Sequence, residues 1–168
     1  LSAKQMIRFV DDFLNGITQY RLMLYFLICL LLVATALSVF GILSFNPVAI
    51  VFSAVFLTIV CWVANTVFAR IFKAQTNLES VYISALILAL IMTPARTFQD
   101  ALLLGLVAVL SQGSKYILAI GRKHIFNPVA FAVFLSAVTI NYSASWWVGT
   151  SWMMPLVLAG GLLIARKI

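Results

Sequence analysis

The chain has 168 residues, of which 64% are hydrophobic and 9% charged, and its mean hydropathy is +1.14. A soluble domain carries about 25% charged residues, so this chain lacks the charge to cover a water-facing surface; soluble, disordered and disulfide-rich secreted classes are excluded. The formal net charge is +7, but the basic residues stand at the ends of apolar runs, where the positive-inside rule puts them, and not in a nucleic-acid-binding patch. What remains is an all-α, polytopic integral membrane protein.

Residues 3–15 pattern as an amphipathic helix, with Met6, Val10, Phe13 and Leu14 on one face and Lys4, Arg8, Asp11 and Asp12 on others. This predicts an N-terminal unit, residues 1–20, lying on the cytoplasmic face of the membrane. A transmembrane domain over residues 21–168 follows. A spanning helix needs about 20 apolar residues. Leu22–Phe40 and Val48–Phe72 meet that length. Val81–Met92 is short, with an extension back to Leu78 or a half-helix as the two options. Ala101–Ile120 is long but interrupted by Ser111-Gln112-Gly113-Ser114-Lys115. Pro128–Ile140 and Trp152–Ala165 are again short. The prediction is about six membrane segments, some short or broken. The chain reads as part of a longer protein.

Loop charge sets the expected orientation. Lys4, Arg8 and Arg21, then Arg70, Lys73 and Glu79, then Arg122, Lys123 and His124, and finally Arg166 and Lys167 mark the cytoplasmic side. The opposite loops are poor in charge, and the last of them carries Tyr142, Trp146, Trp147 and Trp152 as an interfacial aromatic belt. Both termini are expected in the cytoplasm, with the protein multi-pass in the inner cell membrane.

Phe45-Asn46-Pro47-Val48-Ala49 recurs as Phe126-Asn127-Pro128-Val129-Ala130. Each copy opens an apolar segment, the first from outside and the second from inside. That is the mark of an inverted-topology repeat of three plus three segments; a chance match in an apolar-rich chain is the rival reading. Asn before Pro is an N-cap with a preset first turn. Such a helix start either binds an anionic or carbonyl-bearing ligand or is simply capped.

Polar residues at membrane depth are few: Asn65, Thr66, Ser84, Ser111, Gln112, Ser114 and Lys115. Ser84 either lines a site or bonds the carbonyl one turn back. Lys115 either serves a site at membrane depth or snorkels to the cytoplasmic surface, the favoured reading. No paired carboxylates form an ion relay, and no nucleophile–base pair supports hydrolysis. Cys29 and Cys61 lie in separate apolar runs without metal-ligand spacing, so a metal site is not expected.

Asn77-Leu78-Glu79-Ser80, followed by the stretch from Ser84 to Pro94, resembles the "NEG…AL-I-x-PP" region of the NqrB/RnfD family. Gly121-Arg122-Lys123-His124-Ile125-Phe126-Asn127-Pro128-Val129-Ala130 resembles that family's "GRxxFNPAA" region. The two lie in family order with similar spacing and cover about residues 75–135. The resemblance implies a membrane subunit of an NADH- or ferredoxin-linked electron-transport system, carrying riboflavin between helices and FMN on a Thr of an S/T-G-A-T motif. It also implies about ten membrane helices in two inverted halves, of which this chain is the first half or so; five plus five conflicts with the three-plus-three repeat.

Residue by residue, the resemblance assigns Asn127 to riboflavin, with His124 three residues earlier. Glu79 matches the family Glu ahead of the third helix, as a loop-orienting or cation-sensing group. Ser84 joins the cofactor-lining candidates. The nearest counterpart of the attachment motif is Val148-Gly149-Thr150-Ser151, with Thr150 or Ser151 as the phosphate or attachment group. It lacks the Ala and has its Thr one place early, which favours a noncovalent flavin. The expected partners are membrane lipid and other electron-transport subunits or a fused cytoplasmic reductase domain. The competing functions are a small-molecule transporter or channel, and a cofactor-free structural subunit.

Overall fold

The computed structural model describes residues 16–120 and 123–167. The amphipathic segment expected over residues 3–15 lies outside them. Among the described residues the protein is all-helical apart from one two-residue-per-strand hairpin. The helices are α1 (Gln19–Val39), α2 (Pro47–Phe72), α3 (Leu78–Ile91), α4 (Phe98–Ile117), α5 (Pro128–Ile140) and α6 (Met154–Lys167). Between α4 and α5, β1 (Ala119–Ile120) pairs antiparallel with β2 (Lys123–His124).

Local chemistry fixes most helix starts. Thr18, Asn46, Asn77, Thr97 and Asn127 are N-caps whose side chains accept from backbone N–H groups in the first turn, which leaves fewer orphan donors there. Pro47 and Pro128 occupy the first helical turn, where the missing N–H costs nothing. At the end of α2 Lys73 turns into the left-handed region at φ 49°, and at the end of α5 Asn141 does so at φ 55°.

Two helices, α1 with 21 residues and α2 with 26, are long and apolar enough to cross a membrane. At 1.5 Å per residue they reach roughly 30 and 40 Å, against a hydrocarbon core of about 30 Å. Helix α4 has 20 residues and a polar second half. Helices α3, α5 and α6 have 13 or 14 residues, about 20 Å each. The outward faces are apolar, with Leu32, Val55, Ile59, Phe134, Val138 and Leu162 all exposed. That surface suits a lipid environment.

Helix α3 is the centre of the bundle. It packs against α1, α2, α4 and α5, and Val81, Ala85, Leu88, Ala89, Leu90 and Ile91 are all buried. A helix apolar on every face is a core helix. The sequence option that extends this segment back to Leu78 is the observed one. The Ser111–Lys115 stretch does not interrupt its helix: α4 runs unbroken through it, with all five residues buried, because tertiary partners outweigh their modest helix propensity.

The connections collect at two ends. At one, which we call the Pro94 end, Ala95 N–H donates to Ser53 Oγ (2.8 Å), and the 141–153 loop folds onto the C-terminus of α3. Ser145 N–H and Trp146 N–H both donate to Ile91 O at 2.9 Å. Trp147 Nε1 donates to Ala89 O at 3.0 Å. The aromatic-belt expectation is therefore divided: Trp146 and Trp152 are exposed, but Trp147 is buried in the core, where its indole N–H meets one of the last carbonyls of α3, which have no partner within the helix. At the other, the Ser80 end, the 73–77 loop, the start of α1 and the β1–β2 hairpin meet.

Candidate functional site

The six residues singled out by sequence do not converge. Asn127 and His124 belong to the Ser80 end. Asn127 is exposed, and its side-chain oxygen is occupied by Val129 N–H (3.0 Å) and Ala130 N–H (3.3 Å). The His124 backbone pairs with Ala119 in the hairpin. Thr150 and Ser151 belong to the Pro94 end, beyond the far terminus of α5, a helix about 20 Å long. Thr150 forms a tight turn whose carbonyl accepts from Met153 and Met154 N–H, and its hydroxyl is buried without a hydrogen-bond partner; Ser151 is exposed. Glu79 is held by Arg21 at 2.9 Å in a half-exposed ion pair that ties α1 to α3. Ser84 donates to Ser80 O one turn back (2.8 Å), the second of the two roles open to it.

The unspent polar groups lie elsewhere. At the Ser80 end, α2, α3 and α4 diverge around a chamber of about 960 Å³, walled by Tyr20, Asn65, Phe72, Ser80, Lys115 and Tyr116 and by the 73–77 loop. Gly113 lets α4 approach α2 closely: a Cβ there would lie 3.0 Å from the Phe68 ring. Phe68 and Phe72 both stack on Tyr116, with centroids 6.2 and 6.0 Å away. Tyr116 Oη donates to Asn65 Oδ1 at 2.7 Å.

Lys115 departs from its expected snorkelling. It is 9% exposed, and its ammonium donates to Ser80 O at 3.2 Å and Ser80 Oγ at 3.3 Å. The head of α3 supplies those oxygens closer than bulk water, so the side chain turns inward. Neither partner is a carboxylate, and both bonds are long. A buried cation held this way keeps most of its desolvation cost.

Around it are further unmet groups. Asn65 Nδ2, Ser111 Oγ and both amide atoms of Gln112 are buried without a hydrogen-bond partner. Gln112 and Ser111 are 0% exposed. Each such group costs about 1–3 kcal/mol if left unmet, and native interiors leave few of them. Cys61, one turn along α2 from Asn65, adjoins Gln112, so these residues form one polar column, of which Asn65 and Lys115 line the chamber. The column is blind: past Cys61 and Gln112 the same helices contribute Leu57, Leu88, Leu104, Val107 and Ala108, all buried in one apolar cluster.

Sequence inspection finds Asn65, Ser111, Gln112 and Lys115 as membrane-depth polar residues, and Cys61 only as a cysteine without metal-ligand spacing, and does not assemble them. The available signal was spacing. Cys61 and Asn65 are four apart on α2, and Lys115 follows Ser111 by four residues and Gln112 by three on α4, so Lys115 is the helix-face neighbour of both.

A second cleft, of about 780 Å³, opens at the Pro94 end between the starts of α2 and α4, lined by Phe45, Asn46, Phe52, Arg96, Thr97 and Phe98 among others. Its polar groups are already engaged. Asn46 Oδ1 accepts from Val48 N–H (2.8 Å), and Arg96 Nη2 donates to Ser44 O (3.4 Å). The backbone N–H groups of Arg96 and Thr97 donate to Asp100 at 3.0 and 2.9 Å and hold its carboxyl below its ordinary value.

No family model, no curated protein and no solved structure matches the chain. Among the described residues no group of His, Cys, Asp and Glu is placed to hold a metal ion.

Proposed function

We propose that the chain is the membrane-embedded, flavin-carrying part of an electron-transfer system, similar to the NqrB/RnfD family. In this reading it crosses the inner membrane in six segments with both termini cytoplasmic. Electrons arrive from an NAD(P)H- or ferredoxin-linked donor, through partner subunits or a fused reductase domain. The observation that carries the reading is the blind chamber at the Ser80 end. Its volume lies in the range of cofactor sites, about 300–1,000 Å³, its walls include Tyr20, Phe72 and Tyr116, and unpartnered buried donors and acceptors stand on and behind it. A flavin supplies redox chemistry, and the protein supplies binding, orientation and electrostatics. An apolar plug beyond the chamber closes a path to solvated ions. It leaves open one to electrons, which need no polar lining.

The test is a visible absorption spectrum of the detergent-purified protein before and after acid precipitation. A flavin band released to the supernatant is the expected result. A band retained in the pellet points to attachment at Thr150 or Ser151, and Thr150→Ala and Ser151→Ala then separate the two. Freshly folded protein without flavin, and unable to take up added riboflavin or FMN, overturns the reading.

One observation favours transport as a second reading. The two Asn-Pro starts open helices of opposite direction, α2 from the Pro94 end and α5 from the Ser80 end, on either side of α4. This supports a three-plus-three inverted repeat, an architecture common among transporters. Uptake of a solute into proteoliposomes by flavin-free protein would favour it.

A further inference from the structure

We infer that the chamber at the Ser80 end holds a phosphate monoester, with Lys115 and Lys73 as its counter-charges. The choice of FMN over riboflavin as the molecule that carries this phosphate rests on the flavin reading above; the charge of the chamber does not. Three observations lead to the inference. The first is the sign of the lining. Lys115 and Lys73 both line the chamber, and among the described residues no carboxylate does. The described acidic side chains are Glu79 and Asp100. Glu79 is held by Arg21 at 2.9 Å, and Asp100 caps α4 at the Pro94 end.

The second is which atoms of the wall are unspent. An ammonium has three N–H donors, and Lys115 spends two, on Ser80 O at 3.2 Å and Ser80 Oγ at 3.3 Å. Asn65, also in the lining, gives Oδ1 to Tyr116 and keeps Nδ2 without an acceptor. The wall is rich in donors and short of acceptors, and an oxygen-rich ligand supplies them. The third is the head of α3. Its N-cap Asn77 and its first-turn Ser80 stand in the same wall, so the partial positive charge of that helix start adds to the two lysines.

Charge selects among anions. A phosphate monoester carries about −1.5 to −2 at pH 7, which matches two lysines. A carboxylate or a phosphodiester carries a single charge and leaves one ammonium uncompensated. A metal cation is repelled, and a neutral solute leaves the buried Lys115 with its desolvation cost. Lys115 is the inner contact, and the exposed Lys73, in the left-handed cap of α2, is the outer one.

The experiment uses the purified full chain, with FMN, riboflavin and inorganic phosphate as probes. Flavin binding is followed by fluorescence quenching. Phosphate binding is followed by the rise in melting temperature over chloride at equal ionic strength. FMN is expected to bind about tenfold tighter than riboflavin, the worth of one charge-assisted hydrogen bond. Inorganic phosphate should displace FMN and raise the melting temperature. Lys115→Met abolishes the FMN preference and the phosphate effect but leaves riboflavin affinity unchanged, and Lys115→Arg keeps both. Lys73→Met, at an exposed position, weakens FMN and flattens its salt dependence. The control Thr66→Val, whose hydroxyl bonds the Trp62 carbonyl of its own helix, changes nothing. Phosphatidic acid added to the micelles separates the two sources of the phosphate. If neither flavin binds but phosphatidic acid stabilises the parent and not Lys115→Met, the site stands with a lipid as its ligand and the flavin reading falls. Equal affinity for FMN and riboflavin, unmoved by phosphate, overturns the inference and leaves the flavin reading standing. A folded parent protein that binds neither flavin, and that neither phosphate nor phosphatidic acid stabilises, overturns both.

Discussion

Trp147 donates its indole N–H to the carbonyl of Ala89 at 3.0 Å, across 58 residues of sequence. Ala89 lies in the last turn of α3, whose final carbonyls have no helical partner. Ser145 and Trp146 serve Ile91 in the same way. A 14-residue helix thus ends inside the protein, and its orphan acceptors are met by a loop. Irregular backbone in a protein interior is tolerated where its polar groups find partners in this way. Trp147→Phe keeps an aromatic ring beside Phe45 but removes the donor. Leaving a buried carbonyl unmet costs about 1–3 kcal/mol. The expected outcome is a lower melting temperature in detergent together with faster proteolysis between residues 141 and 153. Unchanged values for both would mean that the loop is held by apolar packing alone.

The two Asn-Pro helix starts give a second prediction. Asn46 accepts one backbone N–H and Asn127 two. Removing an N-cap side chain costs about 1 kcal/mol. Asn46→Ala and Asn127→Ala are each expected to destabilise by about that amount, and Asn→Asp at either position to restore most of it. On flavin affinity, Asn127→Ala should act weakly, since its acceptor is already engaged with backbone. A complete loss of flavin in folded Asn127→Ala would return the ring-binding role to that residue.

Acid sensitivity at the Pro94 end follows from Asp100. Its carboxylate completes a capping box with Thr97 and accepts from Arg96 N–H, and these bonds lower its pKa from 3.8. The folded value lies below the unfolded one, so the stabilisation is complete above the unfolded value. It is lost as pH falls through the folded value. Asp100→Asn should therefore lower the melting temperature at neutral pH, with the difference from the parent shrinking below about pH 3.8, the unfolded carboxylate range. Parallel melting curves for the two proteins from pH 7 to pH 3 make the comparison. A gap that stays constant would place the effect in the loss of capping geometry and not in charge.

These cases also mark what a sequence of this kind discloses. The start of α5 at Pro128 and its end at Ile140 are readable because Asn-Pro and the apolar run are local signals. So is the short third segment, because Thr93-Pro94 stops it. The inward turn of Lys115 is not local: it depends on Ser80, 35 residues away. Read alone, Ser111 to Lys115 looks like a break in an apolar run. In the fold, Phe68, Cys61 and Ser80 supply the surroundings that let these five residues continue the helix. Trp147 follows the same logic, since nothing near it in sequence indicates that α3 needs a donor. Thr150 keeps an unpartnered hydroxyl, and a local reading singled it out only through a motif that it matches in part.

The contact between α1 and α6 yields the last prediction, because two adjacent glycines there should respond with opposite signs. A Cβ at Gly160 would overlap the ring of Phe26, whereas one at Gly161 meets nothing within 4 Å. In a helix interior Ala is favoured over Gly by about 1 kcal/mol. Gly161→Ala is therefore expected to stabilise by up to that amount. Gly160→Ala gains the same propensity but must displace the Phe26 ring, and overpacking costs about 1–3 kcal/mol, so its net effect is destabilising. Phe26→Ala in the Gly160→Ala background should recover part of the loss, and a double-mutant cycle on melting data measures the coupling. If Gly160→Ala and Gly161→Ala stabilise equally, α6 does not rest on Phe26.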